Sequence, residues 1–145
     1  MPPKADSFAD ANATGLGHAL AAAHLPVTWI GDDGRKHRRK QAHWLEPCPV
    51  TNHGEPDDVW IPEIAAYGAA ILTRDERIAT RLLEHEAVRQ SGARMLAITS
   101  GGSLSLWEMV HVGGARWAWL EEKRLEPGPV NYGLNRTTDH VVKSW

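Results

Sequence analysis

The chain holds 145 residues, 42% of them hydrophobic, which is enough for one domain with a real core and too short for two ordinary ones. Its formal charge of −2 excludes a protein that binds nucleic acid simply by being basic. One cysteine, Cys48, excludes an internal disulfide framework and a thiolate zinc site, and no run approaches the roughly 18 consecutive apolar residues of a membrane span.

From the start, Met1-Pro2-Pro3-Lys4-Ala5-Asp6 lacks the apolar stretch of a signal peptide, so a cytoplasmic protein with no membrane partner is expected. Ser7-Phe8-Ala9 reads as a short strand closed by Asp10, and the alanine-rich stretch from Leu16 to His24 predicts a helix. Pro26 to Ile30 has the β-branched and aromatic content of a strand, stopped by the turn residues Gly31-Asp32-Asp33-Gly34. Residues 35–56 show no sustained period and hold prolines at 47, 49 and 56, which predicts a long loop. Val59 to Tyr67 reads as a helix and Ala69 to Thr73 as a buried strand. Glu76 to Ser91 reads as a helix whose Ile78, Leu82, Leu83 and Ala87 line one face. Arg94 to Thr99 is a further strand, and Gly101-Gly102 then breaks the chain before Ser103, the predicted cap of a helix to Val112. Beyond Gly113-Gly114 another helix carries Trp117 and Leu120 inward. Residues 129–142 read as a strand pair, Pro129 to Leu134 and His140 to Val142, around a polar turn. This alternation predicts a three-layer α/β fold, with a mostly parallel central sheet and helices on both faces.

In an open parallel sheet, ligands collect at the carboxyl ends of the strands, where helix N-termini point their positive ends into the same crevice. Asp10 closes the first strand, and Asp75 follows the strand ending at Thr73 by two residues. Asp57, with neighbouring Asp58, opens the helix that feeds that strand. A helix joined to a strand by a tight turn runs antiparallel to it, so its start lies near the strand's end and the three carboxylates converge. Such a cluster is costly unless a hard cation compensates it. Mg2+ or Mn2+ suits oxygen ligands, orients a phosphodiester and lowers the pKa of an attacking water. Asn12 stands ready to position a water or phosphate oxygen, and Thr73 to hydrogen-bond a ligand carboxylate. Capping alone would justify Asp57 or Asp75. Asp10 is harder to explain that way, because no helix is predicted to start directly after it.

Other motifs carry less. Eight histidines invite a zinc site, but they are scattered, and His85-Glu86 lacks the second histidine of a zincin helix. Of the seven tryptophans, Trp60, Trp107 and Trp117 fall beside aliphatics on predicted helices and are expected in the core. The run Arg35-Lys36-His37-Arg38-Arg39-Lys40 is a source of positive charge for RNA, with Arg74, Arg77 and Arg81 a second.

Two segments, Asp57-Asp58-Val59-Trp60-Ile61-Pro62 and Ile71-Leu72-Thr73-Arg74-Asp75-Glu76-Arg77-Ile78, resemble the PIN-like domains of VapC-type toxins. Phe8-Ala9-Asp10-Ala11-Asn12 is similar to that family's first motif, and Glu126-Pro127-Gly128-Pro129-Val130-Asn131-Tyr132 to its closing strand. The resemblance implies a single PIN-like domain over residues 1–145 and a magnesium-dependent endoribonuclease, the toxin of a type II toxin–antitoxin pair. The implied catalytic and metal-binding residues are Asp10, Asp57 and Asp75, with Asp58 as the alternative to Asp57. An antitoxin protein is the implied partner, and a homodimer is a further option. The sequence departs from the family at Ala11, where relatives often have glutamate, and at the fourth acid, for which Glu84 and Glu86 are weak candidates. Those departures keep two alternatives open: a catalytically impaired module that docks RNA or protein, and a DNA nuclease on the same fold.

Overall fold

Short apolar segments pair into one six-stranded sheet in the computed structural model, which describes residues 2–35, 44–74, 82–98, 105–135 and 139–143. The elements are β1 (Ser7–Ala9), α1 (Thr14–Ala22), β2 (Val27–Trp29), α2 (Asp57–Tyr67), β3 (Ala70–Thr73) and α3 (Leu82–Ser91). They continue with β4 (Arg94–Ile98), α4 (Leu106–Ala115), α5 (Trp117–Arg124), β5 (Val130–Leu134) and β6 (Asp139–Lys143). Strand order is β2-β1-β3-β4-β5-β6; the first five strands are parallel, and β6 pairs antiparallel with β5. The expected three-layer α/β fold with a mostly parallel sheet is therefore the observed one.

Strands buried on both faces need apolar residues at successive positions, as β3 has in Ala70-Ile71-Leu72. Phe8, Ile71 and Met95 point to the face covered by α2 and α3, where Trp60, Ile61, Ile64 and Val88 complete a core. Ala9, Leu72, Leu96 and Ile98 point to the other face, under Leu16 and Leu20 of α1, Met109 and Val112 of α4 and Leu120 of α5. Gly17 lets α1 approach closely, since a Cβ there would stand 2.8 Å from that of Ala9. No helix among the described residues is long and apolar enough to cross a membrane.

Several expectations need correction. A 3-10 turn, Ala11–Ala13, follows Asp10 directly and leads into α1, so a helical start does follow this acid. Gly113 and Gly114, expected to break the chain, lie inside α4, where the buried Gly113 faces Leu16 and Ile98 and tertiary packing outweighs propensity. The α4 cap is Ser105, whose hydroxyl accepts from the Glu108 amide in a capping box; Ser103 lies outside the described residues. Leu82 and Leu83 are exposed, and α3 instead buries Ala87 and Val88. Leu83 and Ala87 share a stripe, but that stripe borders a groove toward Asp58 and Pro62 of α2. Trp60 is buried as expected and Trp117 is half-buried, whereas Trp107 is 74% exposed. Met109, Val112 and Gly113 occupy the inner side of α4, which turns Trp107 to solvent.

The segment before α2 has no helix or strand among its described residues 44–56, yet it is built in. It folds back along residues 31–34 through Val50, Asp32 and Gly34 carbonyls that accept from Gly31, Cys48 and Leu45 amides at 2.9, 3.0 and 3.0 Å. Gly34 has φ +88, and a Cβ there would overlap the Leu45 carbonyl oxygen. Leu45, Cys48 and Val50 thereby join the core beneath α2. Asp32, 2% exposed, accepts from Thr28 Oγ1 at 2.7 Å and from the Gly34 amide at 2.9 Å, so this buried acid holds the turn together.

Burial pushes the Cys48 thiol up to about 11 from 9.0. The folded state therefore favours the neutral thiol, and its contribution to stability is complete below pH 9 and is lost as pH rises toward 11. Urea unfolding of the wild type should lose about 2 kcal/mol more than Cys48→Ala across that interval. Parallel pH profiles for the two proteins would refute the assignment.

Candidate functional site

The strand order reverses direction at β1. The chain moves outward from β1 to β2 and then crosses back to β3 on the other side of β1, so the carboxyl ends of β1 and β3 flank a topological switch point. Register places Ala9 beside Leu72, and the Asp10 amide donates to the Leu72 carbonyl at 2.9 Å. This aligns Asp10, the first residue beyond β1, with Thr73, the last residue of β3.

Their side chains meet. Thr73 Oγ1 donates to Asp10 Oδ2 at 3.0 Å, and the Ala11 amide donates to Asp10 Oδ1 at 2.6 Å. Asp10 is 9% exposed and Thr73 1%, so the carboxylate is held between a strand hydroxyl and the first amide of the 3-10 turn. Asn12 joins the group, its Oδ1 accepting from Thr73 Oγ1 at 3.4 Å and from the Arg74 amide at 3.1 Å. The amide of Asn12 thus fixes the backbone of Arg74 next to Asp10. The expected pairing of Thr73 with an acid, and the nearness of Asn12, are both present in this geometry.

Asp57 opens α2, and with Asp58 it puts two carboxylates in the helix's first turn, where the helix dipole favours them. Its Oδ1 accepts from the Trp60 indole Nε1 at 2.7 Å. Trp60 in turn packs on Phe8, with ring centroids 5.4 Å apart, two positions before Asp10 on β1. The D-x-x-W spacing therefore ties the helix start to the strand that ends in Asp10. Asp57 is half-buried and Asp58 exposed; Asp58 borders the groove between α2 and α3. Asp75, Arg77 and Arg81 lie outside the described residues, as do Lys36, Arg38, Arg39 and Lys40.

The two candidates for a fourth acid, Glu84 and Glu86, both lie on α3. Glu86 is bound by Arg89 at 2.7 Å and by Gln90 at 3.3 Å. The Arg89 guanidinium holds its carboxyl below the usual range. Glu84 lies in the first described turn of α3. Arg35 stacks its guanidinium on Trp44 at 4.5 Å, at the root of the basic run. Glu46, two residues beyond Trp44, donates its amide to the Pro3 carbonyl at 2.7 Å, and its own carbonyl accepts from Tyr67 Oη at 3.1 Å. Both contacts lie at the amino end of β1 and the carboxyl end of α2.

The donors around the switch point are oxygens of carboxylate, amide and hydroxyl groups, a set suited to a hard divalent cation. Among the described residues no three His, Cys, Asp or Glu side chains form a metal-sized cluster; two of the three expected acids fall within those residues.

A family model described as a PIN like domain matches residues 6–100, from the start of β1 past the end of β4. The chain belongs to the PIN-like domain family. PIN-like domains are usually nucleases and generally use divalent metals. No match was found among curated proteins or among solved structures.

The hydrogen bond from Trp60 to Asp57 has a measurable consequence. Trp60→Phe keeps a ring on Phe8 but removes the donor, which should cost about 1 kcal/mol in a group that is only half-buried. A double-mutant cycle with Asp57→Ala should show a coupling of about 0.5–1.5 kcal/mol by urea unfolding. Strict additivity would show that the carboxylate is not oriented by the indole.

Proposed function

We propose that this PIN-like domain is a divalent-metal-dependent endoribonuclease that acts as the cytoplasmic toxin of a type II toxin–antitoxin pair and is silenced by an antitoxin protein. The observation that carries the reading is the Asp10 carboxylate, buried at the switch point and oriented by Thr73 from the neighbouring strand, with Asn12 beside it. Asp10, Asp57 and Asp75 are the residues that would hold Mg2+ or Mn2+, with Asp58 replacing Asp57 in the alternative ligand set. When bound, such an ion activates water and stabilises charge on phosphodiester oxygens.

The chain's own residues supply the rest. Thr73 fixes the orientation of Asp10, so little reorganisation is needed when a ligand arrives. Asn12 holds the Arg74 backbone beside Asp10, and in this reading the Arg74 side chain meets the approaching phosphate. Trp60 plays for Asp57 the part that Thr73 plays for Asp10.

Purified protein should cleave single-stranded RNA with magnesium or manganese and lose that activity in chelator. Asp10→Asn and Asp75→Asn should each abolish cleavage while leaving the fold intact by circular dichroism. Thr73→Val should weaken metal dependence by roughly 10- to 100-fold in half-saturating concentration. Induced expression should arrest growth for the wild type and not for Asp10→Asn. Full activity in Asp75→Asn would refute the site. An inert but folded wild type with intact RNA affinity would favour the docking module, and preferential cleavage of DNA the third alternative.

A further inference from the structure

The sequence places Trp107 in the core, and the structure places it in solvent. An indole 74% exposed on a helix forfeits most of the burial that would account for a structural role. The inner side of α4 is already filled by Met109, Val112 and Gly113, so the packing of this helix does not need Trp107.

Its position is fixed nonetheless. Ser105 and Glu108 close a capping box around the first turn of α4, so the backbone at Trp107 is held at both ends of that turn. The preceding residue, Leu106, lies against Gly15 so closely that a Cβ there would stand 2.9 Å from Leu106 Cδ1. Gly15 belongs to the first turn of α1, three residues after Asn12 and directly downstream of Asp10. The start of α4 is thereby docked on the segment that leaves the candidate site. One turn further along, the exposed imidazole of His111 stands 6.4 Å from the indole, with the rings inclined by 35°.

We infer that Trp107, extended by His111, is a stacking platform for an unpaired nucleobase of the strand bound at the Asp10 site. The inference rests on the proposed nuclease reading for its neighbour and names a substrate contact that this reading does not contain. Location decides between occupants: the start of α4 is docked on the segment that leaves the Asp10 site, and among the described residues of α4 the large exposed apolar side chains are Leu106 and Trp107. A nucleobase needs a single ring face, and aromatic stacking is worth about 1–3 kcal/mol per base. A rigid backbone suits this use, because less conformational freedom is lost on binding.

The test is anisotropy of a fluorescently labelled single-stranded RNA oligonucleotide in chelator, where cleavage is off. Trp107→Ala should weaken binding about 5- to 100-fold, with Trp107→Tyr largely restoring it. The salt dependence of binding should be unchanged, because no phosphate contact is lost. An oligonucleotide with abasic positions should bind wild type and Trp107→Ala alike. Melting by circular dichroism should be the same for all variants, since the replaced ring is in solvent. Wild-type affinity in Trp107→Ala, an equal loss on the abasic strand, or no RNA binding by the wild type would each overturn the platform. If the wild type fails to cleave with magnesium but Trp107→Ala still weakens binding, the nuclease reading falls and the platform stands.

Discussion

A carboxylate that is nine-tenths buried at the end of a strand is tolerated only where donors replace its lost water. At Asp10 those donors come from two directions, the Thr73 hydroxyl on the next strand and the Ala11 amide of the following turn. The first depends on the parallel pairing of β1 with β3, sealed by the bond from the Asp10 amide to the Leu72 carbonyl. A slip of one residue would turn Thr73 to the opposite face of the sheet and leave Asp10 facing Leu72 or Arg74. The register of two central strands is therefore the condition on which the candidate site rests. It also sets the cores, because the same slip would exchange Ile71 and Leu72 between the two faces.

The 3-10 turn after Asp10 bears on what this acid is for. The Ala11 amide satisfies one oxygen, which gives Asp10 the capping role that sequence alone did not offer it. Capping does not account for the second oxygen. A cap needs no strand hydroxyl from residue 73, and it needs no asparagine two positions on that reaches back to the Arg74 amide. The three-residue group has more order than a helix start requires, and it sits at the carboxyl ends of β1 and β3. Asp57 shows the same division, with a helix start to favour and an indole to hold its orientation.

How much could be read in advance follows from how local each signal is. Strands such as Ala69 to Thr73 and Arg94 to Thr99 are apolar runs between polar boundaries, and both were legible within a residue at each end. The hydrogen bond of Thr73 to an acid was legible because it follows from topology, given only that the sheet is parallel, whereas the reach of Asn12 to Thr73 and the Arg74 amide was not. The turn at Ala11–Ala13 was not, because three residues of alanine and asparagine carry no period. Gly113-Gly114 misled for a different reason: glycine propensity signals a break, while Gly113 is buried facing Leu16 and Ile98 and the helix runs on through both glycines to Ala115. Leu82, Leu83 and Trp107 misled because hydrophobicity marks what a residue is, and exposure depends on which side of its helix meets the sheet. Asp32 was legible as a turn residue but not as a buried one, since the segment that covers it has no regular pattern.

Charge placement gives the last constraint. A phosphodiester approaching Asp10 meets a negative group, so a nuclease on this scaffold needs cations beside the acids as well as any bound metal. The run beginning at Arg35 is the densest source in the sequence, but Lys36 to Lys40 lie outside the described residues. Arg74 lies at the Asp10 end of the sheet, and its backbone is clamped by Asn12, a residue already bound into the acid cluster. Holding the backbone while leaving a long side chain to adapt is an economical way to meet a phosphate whose exact position varies with the bound strand. Aromatic contact at Trp107 would add affinity without adding charge, and it would act on the bases while Arg74 acts on the backbone. A domain with a net charge of −2 would then hold a polyanion by a few placed contacts rather than by its overall field.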